Sequence, residues 1–302
     1  MTVEPVAPFR VLLATDDSEQ ARLAKSWVSR LRRTRPCVVD VLCVAGHGMA
    51  HLSWGMQTYR EPVRQAVEGL RQGEMLTAQR IANAVGERLQ HNGVTVHAWA
   101  RQGDAAEEIL AHIELEQPDM VVVGPRGRSG LARLLLGSVS QQVIASADRP
   151  ILVARRPGSE HGPLPGRLLV LVDGGPGAET TIDWIVQQGW AIGASMSVLG
   201  LLGVPAGLDS DEPEPASALH GLVRGDAESS LDRLVAPLRE QAETLTIELE
   251  IGHPLEGALR AAEELAADLI VVARPPRRRG QDPLAKKVAR YASTSVLIVP
   301  RA

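Results

Sequence analysis

The stretch Val121-Val122-Val123-Gly124-Pro125-Arg126-Gly127-Arg128-Ser129-Gly130, which runs on through Leu131-Ala132-Arg133-Leu134-Leu135-Leu136 to Gly137-Ser138-Val139-Ser140, decides the fold. It reads strand, glycine loop, helix. Asp119 to Val123 is a short β-branched run suited to a strand buried on both faces, and Ser138 to Ala147 carries Val139, Val143, Ile144 and Ala147 at helical spacing. The loop therefore empties onto a helix N-terminus, where unpaired backbone N–H groups and the positive end of the helix dipole favour an anion. Glycines let that backbone approach a ligand without a Cβ in the way. A phosphate suits such a place.

Upstream of this stretch the pattern alternates. Phe9 to Thr15 reads as a buried strand that stops at Asp16-Asp17-Ser18, whose short polar side chains suit a turn and a helix cap. A helix follows from Glu19 to Arg33, then a strand from Val38 to Val44. Gly46 to Pro62 has no clear period and reads as a loop. Next come a long helix from Glu61 to Asn92, a strand from Val94 to Arg101 and a helix from Asp104 to Glu116. The quoted stretch follows, and Pro150 to Arg155 is a last strand. Five strands with four crossovers predict an α/β, doubly wound unit with a parallel sheet.

Pro157 to Gly166, with three glycines and three prolines, reads as a linker, after which the pattern restarts. Strand 167–172 ends in Asp173-Gly174-Gly175 as the first strand ended in Asp16-Asp17-Ser18. Helix 179–188, strand 196–201, an acidic proline-rich loop over 202–224 and helix 226–243 come next. Strand 245–251, helix 255–267, strand 268–273, helix 283–292 and strand 295–300 complete a second copy. Gly103-Asp104 matches Gly252-His253, and Pro118-Asp119-Met120-Val121-Val122-Val123 matches Ala267-Asp268-Leu269-Ile270-Val271-Val272. Two tandem domains, 1–156 and 167–302, are the expectation.

The totals agree, since 302 residues are about twice the usual domain length. A net charge of -4 and a pI near 6.1 argue against a nucleic-acid partner. The two cysteines, Cys37 and Cys43, stand in or beside one strand, as in a reducing compartment. No apolar run reaches the roughly 18 residues of a membrane helix, and Met1 to Phe9 lacks a signal-peptide pattern. The expected location is cytoplasmic, with no membrane partner.

Gly124, Gly127 and Gly137-Ser138 stand at the spacing Gly, two residues, Gly, nine residues, Gly-Ser, followed by Ala147-Asp148-Arg149-Pro150-Ile151-Leu152-Val153. This resembles the nucleotide-binding signature of ATP-binding universal stress proteins, and the likeness to their tandem members covers nearly the whole chain. The resemblance implies two five-stranded sheets of order 3-2-1-4-5, adenine nucleotide alpha hydrolase-like, with the two domains pairing within the chain across their last strands. It also implies a nucleotide as cofactor: ATP, ADP or AMP, with magnesium bridging the phosphates. With that strand order, ligands bind at the carboxyl ends of strands one and four, where Asp16 and Gly124 stand.

Carried over residue by residue, the resemblance sets Ala14, Thr15 and Asp16 at the adenine and ribose end and Val44 near the base. Gly124 and Gly127 lie under the ribose and first phosphates, and Gly137, Ser138 and Val139 hold the outer phosphates. Arg126 and Arg128 either add charge to the phosphates or are solvated loop arginines, and Asp16 can serve the turn as well as the ligand. The second copy departs from the pattern. Its fourth strand ends at Ala273, Pro276 replaces the second glycine, Asp282-Pro283 stand where Gly137-Ser138 are expected, and the loop is four residues shorter. Proline removes a donor and an acidic side chain repels phosphate, so this copy is not expected to bind ATP. Arg277-Arg278-Arg279 could still attract an anion, although such a charge run is usually a solvated loop.

No Gly-Lys-Ser, Gly-Lys-Thr or dinucleotide fingerprint occurs, and no nucleophile elbow or catalytic constellation stands out. No metal site is assigned, His47 and His51 lacking the expected context. Trp54, Met56 and Tyr59 suit a nucleotide cover, a domain interface or core packing. The family resemblance implies an ATP-binding regulatory protein of the stress response, acting through nucleotide-dependent association with a protein partner of unknown identity. The alternatives are a slow ATP hydrolase or nucleotidyl transferase, and a scaffold that binds no nucleotide.

Overall fold

The computed structural model describes residues 7–31, 35–46, 60–90, 94–127, 136–155, 165–175, 177–203, 214–274 and 283–301. The chain divides into two compact units, one built on Met1–Ser29 with Arg35–Arg155 and the other on Arg156–Ala302. Most of the expected linker lies outside the described residues, as do His47, His51, Trp54, Met56, Tyr59, Arg128, Pro276, Asp282 and the three arginines 277–279.

The first unit runs β1 (Phe9–Ala14), α1 (Glu19–Arg30), β2 (Cys37–Ala45), α2 (Glu61–Leu89), β3 (Val94–Gln102), α3 (Ala105–Glu116), β4 (Met120–Val123), α4 (Ser138–Ser146) and β5 (Ile151–Val153). All pairings are parallel: β1 lies between β2 and β4, β3 flanks β2, and β5 flanks β4. The order is 3-2-1-4-5. Val11, Leu12 and Leu13 of β1 and Met120 to Val123 of β4 are buried, as an unbroken apolar run in a sheet covered on both faces should be.

The second unit repeats this plan with β6 (Arg167–Val172), α5 (Gly177–Gln187), β7 (Ser195–Gly203), α6 (Glu214–Leu234), α7 (Ala236–Arg239), β8 (Thr244–Gly252), α8 (Pro254–Glu264), β9 (Leu269–Ala273), α9 (Leu284–Tyr291) and β10 (Ser295–Val299). Here β6 lies between β7 and β9, with β8 and β10 outside them, again all parallel. The matching Asp119 and Asp268 acquire a physical reason. Asp119 accepts the backbone N–H of Arg10 at 2.8 Å, and Asp268 accepts that of Arg167 at 2.8 Å. In each unit a carboxylate at the start of the fourth strand clips the start of the first.

Two expectations fail around α6. The acidic segment read as loop through residue 224 is helical from Glu214 onward, because Pro215 stands in a first turn, where its missing N–H has no helical partner to lose. The helix expected to reach residue 243 ends at Leu234. Pro237 cannot continue it, and the short α7 starts just before that proline.

Helix α1 meets the end of β4 backbone to backbone. A Cβ on Gly124 would lie 3.1 Å from both the carbonyl carbon and the oxygen of Gln20. In the second unit Ala273 occupies the corresponding strand position, and the glycine has moved to the helix, where a Cβ on Gly177 would lie 2.9 Å from that of Ala273. One partner of the contact is glycine in each unit, so Gly124 serves packing whether or not a ligand binds. Gly124→Ala is expected to destabilise the ligand-free first unit by ~1–3 kcal/mol through overpacking, measured by urea denaturation of nucleotide-stripped protein. A midpoint equal to that of the wild type would contradict the contact.

Candidate functional site

The end of β1 is built as a turn that fixes one carboxylate. Thr15 donates its N–H to the Leu42 carbonyl at 2.9 Å, extending the ladder one residue past the strand. Asp17 then takes a left-handed φ of 59°. Its N–H reaches the Thr15 hydroxyl at 3.2 Å, that of Ser18 reaches Asp16 Oδ1 at 3.0 Å, and that of Ala21 reaches the Ser18 hydroxyl at 3.2 Å, capping α1. Asp16 Oδ2 faces the loop after β4, where a Cβ on Gly127 would lie 2.6 Å from it. Strand-order reversal thus brings positions 16 and 127 together.

That loop is pinned at both of its described ends. Ser140 donates its hydroxyl to the Gly124 carbonyl at 2.8 Å, and Gly137 donates its N–H to Pro125 at 2.7 Å. A Cβ on Gly137 would lie 3.3 Å from Arg126 Cα, so this glycine too has a packing duty. Gly137 is the N-cap of α4, and Ser138 is the exposed first residue of that helix.

Between the β1 turn and this loop lies a cavity of about 110 Å³. Of the residues singled out by sequence, Ala14, Thr15, Asp16, Val44, Gly124, Arg126, Gly127 and Val139 line it together. Gly137 and Ser138 stand beside it on α4 and are not among its walls. Sequence reading missed Ala21, Leu42, Val123, Ala105, Ile109 and Ser140. Leu42 was within reach, standing two residues before Val44 on the same face of β2, and so was Ser140, a hydroxyl in the first turn of α4. The α3 residues carried no signal, since Ala105 and Ile109 look like any apolar helix face.

The site's electrostatics favour anions on the loop side. Arg155, just past β5, has its pKa lowered to about 10, first by burial and then by repulsion from Arg126. Arg155 stays charged at neutral pH, and with Arg126 near enough to repel it, two guanidinium side chains serve this end of the sheet. Sequence reading missed Arg155, which stood there only as the end of a strand.

Beneath the floor, two residues before Leu42, Asp40 is buried in the sheet with 1% of its side chain exposed. His97 Nδ1 lies 3.0 Å away, Trp99 donates its indole N–H at 3.3 Å, Arg10 stands at 3.5 Å, and His112 of α3 at 3.8 Å. Burial by itself would raise this carboxyl's pKa, but His112, His97 and Trp99 outweigh it and bring the value down to about 2. A folded pKa below the unfolded value of about 3.9 means a stabilising contribution that is full above pH ~4 and lost as pH falls toward 2. Asp40→Asn is therefore expected to be less stable than wild type at pH ~5, with the difference shrinking as pH falls below ~4, as read from urea midpoints. A pH-independent difference down to pH ~2 would contradict the charged assignment.

The second unit has the turn without the loop chemistry. Asp173 accepts the Gly175 N–H at 3.0 Å, as Asp16 does for Ser18. Strand pairing keeps Pro283 in the register of Ser138, as read from sequence, but α9 starts one residue later than α4, so that its N-cap is Pro283. That proline has no N–H, whereas the N-cap of α4, Gly137, makes its closure to Pro125.

The model of the universal stress protein family matches the chain twice, over residues 9–155 and 166–300. The chain belongs to the universal stress protein family. A universal stress protein of Methanocaldococcus jannaschii is 41% identical over 68 residues, which are 22% of this chain and 40% of that one. A universal stress protein of Mycolicibacterium smegmatis is 26% identical over 200 residues, 65% of each. A solved universal stress protein of Archaeoglobus fulgidus superposes with a TM-score of 0.65 at 17% identity, covering 97% of this chain and 98% of that one. Another solved universal stress protein, in complex with cAMP, is 23% identical and covers 45% of this chain, with a TM-score of 0.33. Family membership thus extends over both units, although only the first carries the glycine signature.

Proposed function

We propose that the first unit holds one adenine nucleotide and that the protein is an ATP-binding regulator whose association with a partner depends on nucleotide. The observation that carries this reading is the cavity at the carboxyl ends of β1 and β4, where Asp16, Val44, Gly124, Arg126, Gly127 and Val139 converge. Its volume suits the base and part of the sugar, with Leu42 and Ile109 as apolar walls and the Asp16 carboxylate within reach of ribose hydroxyls. The phosphates then run over the glycine loop toward the start of α4, where the helix dipole and the Arg126 and Arg155 charges favour them. No group of three His, Cys, Asp or Glu suited to a metal stands among the described residues. Magnesium would accordingly enter on phosphate oxygens and water rather than in a protein cage. Regulation requires that nucleotide stabilise one state of the protein over another.

Asp16→Asn tests the reading, because an amide oxygen keeps the acceptor for Ser18 while the charge is lost. The expected result is an ATP Kd raised about tenfold, ~1.4 kcal/mol, by titration calorimetry, with an unchanged melting temperature of the ligand-free protein. Equal affinity in the variant would remove Asp16 from the site. ATP turnover in the wild type that is lost in the variant would make the protein an enzyme.

A further inference from the structure

The second unit contains a larger cavity, of about 450 Å³, which overlaps the counterpart of the cleft just described at Val172, Ala178 and Leu201, the equivalents of Thr15, Ala21 and Val44, and extends away from it toward α6. Its walls come from α5, α6 and the carboxyl halves of β6, β7 and β8, the counterparts of α1, α2 and β1 to β3, whereas the nucleotide cleft takes Ala21 from α1 and is otherwise closed by α3 and α4. The size lies in the range of small-molecule sites, which run from about 300 to 1,000 Å³. Val172, Leu201, Leu202, Leu231, Leu234 and Leu249 make the interior aliphatic. Among the described residues no aromatic, lysine, arginine or histidine lines it, so neither base stacking nor anion pairing is on offer. The polar groups are Glu179 and Ser230, both exposed at the rim, and the Gly174-Gly175 backbone.

The floor explains how the space arises. With Asp16 and Asp173 aligned, Gly200 stands where β2 carries the buried Cys43. A Cβ on Gly200 would lie 2.8 Å from Leu249 Cδ1 and 3.0 Å from Leu231 Cδ2. The two leucines can rest against bare backbone only because residue 200 is glycine. Outside the mouth, a groove of about 520 Å³ between α5 and the end of α6 shares Glu179, Ser230 and Leu234 with the cavity and adds Asp183 and Arg233. Arg233 is bonded to its own helix, reaching the Ser229 carbonyl and the Ser230 hydroxyl at 3.3 Å each. An aliphatic chamber thus opens into an acidic, hydroxyl-bearing groove.

We propose that this chamber binds an amphiphile, its alkyl tail among the leucines and a hydroxyl or ammonium head group at Glu179 and Ser230. The site is independent of the nucleotide cleft. Decanol, decylamine and decanoate, each titrated below its aggregation concentration into the full chain, test it. Decanol and decylamine bind one per chain with or without ATP present, and decanoate binds at least tenfold more weakly, since Glu179 repels it and no cation among the described residues lines the chamber. Ala227→Phe fills the chamber from α6 and Ser230→Trp closes its mouth from an exposed position. Each weakens decanol at least tenfold, and if the first fails to fold, the second decides. Glu179→Gln, which loses the charge and keeps an acceptor, weakens decylamine at least fivefold more than decanol. Absence of saturable binding, equal binding of decanoate, or unchanged decanol affinity in folded Ser230→Trp would overturn the proposal.

Discussion

Parallel pairing of β4 against β1, with β2 on the other side of β1, sends successive crossovers to opposite faces and leaves a crevice at the strands' carboxyl ends. Everything at the candidate site depends on that adjacency. It sets the Asp16 turn against Gly127 and lets α1 press its Gln20 backbone on Gly124. It also places the return of the loop, Gly137 on Pro125 and Ser140 on Gly124, directly over the end of β4. The glycines are therefore read twice: as openings for a ligand and as the only residues that allow these backbones to touch.

That double reading separates the two units. The second unit keeps the helix–strand contact by moving its glycine from the strand to the helix, as Gly177 against Ala273, and keeps the β1-type turn at Asp173. What it gives up is the donor at the head of α9, where Pro283 stands. The features needed for folding survive, and the one useful to a phosphate does not. Its free volume lies instead behind Gly200, among leucines.

Much of this was legible in the sequence because the signals are local. Buried β-branched runs marked the parallel strands, and Asp16-Asp17-Ser18 marked a turn and cap. The repeated Asp119 and Asp268 announced two copies before their shared role as backbone clips was visible. The misses have physical causes. Pro215 looks the same in a loop as in the first turn of a helix, and Pro237 was passed over inside a helical pattern. Ala105, Ile109, Arg155 and the Asp40–His97–His112 cluster depend on which strands and helices become neighbours, and no spacing along the chain encodes that.

The proposed function requires one adenine nucleotide site per chain, in the first unit. Freshly purified protein, denatured and assayed by mass spectrometry for released nucleotide, or saturated with ATP first if none is carried, measures it directly. About one nucleotide per chain is expected at saturation. Two per chain would contradict the reading of the second unit, and none at saturating ATP would contradict the site itself.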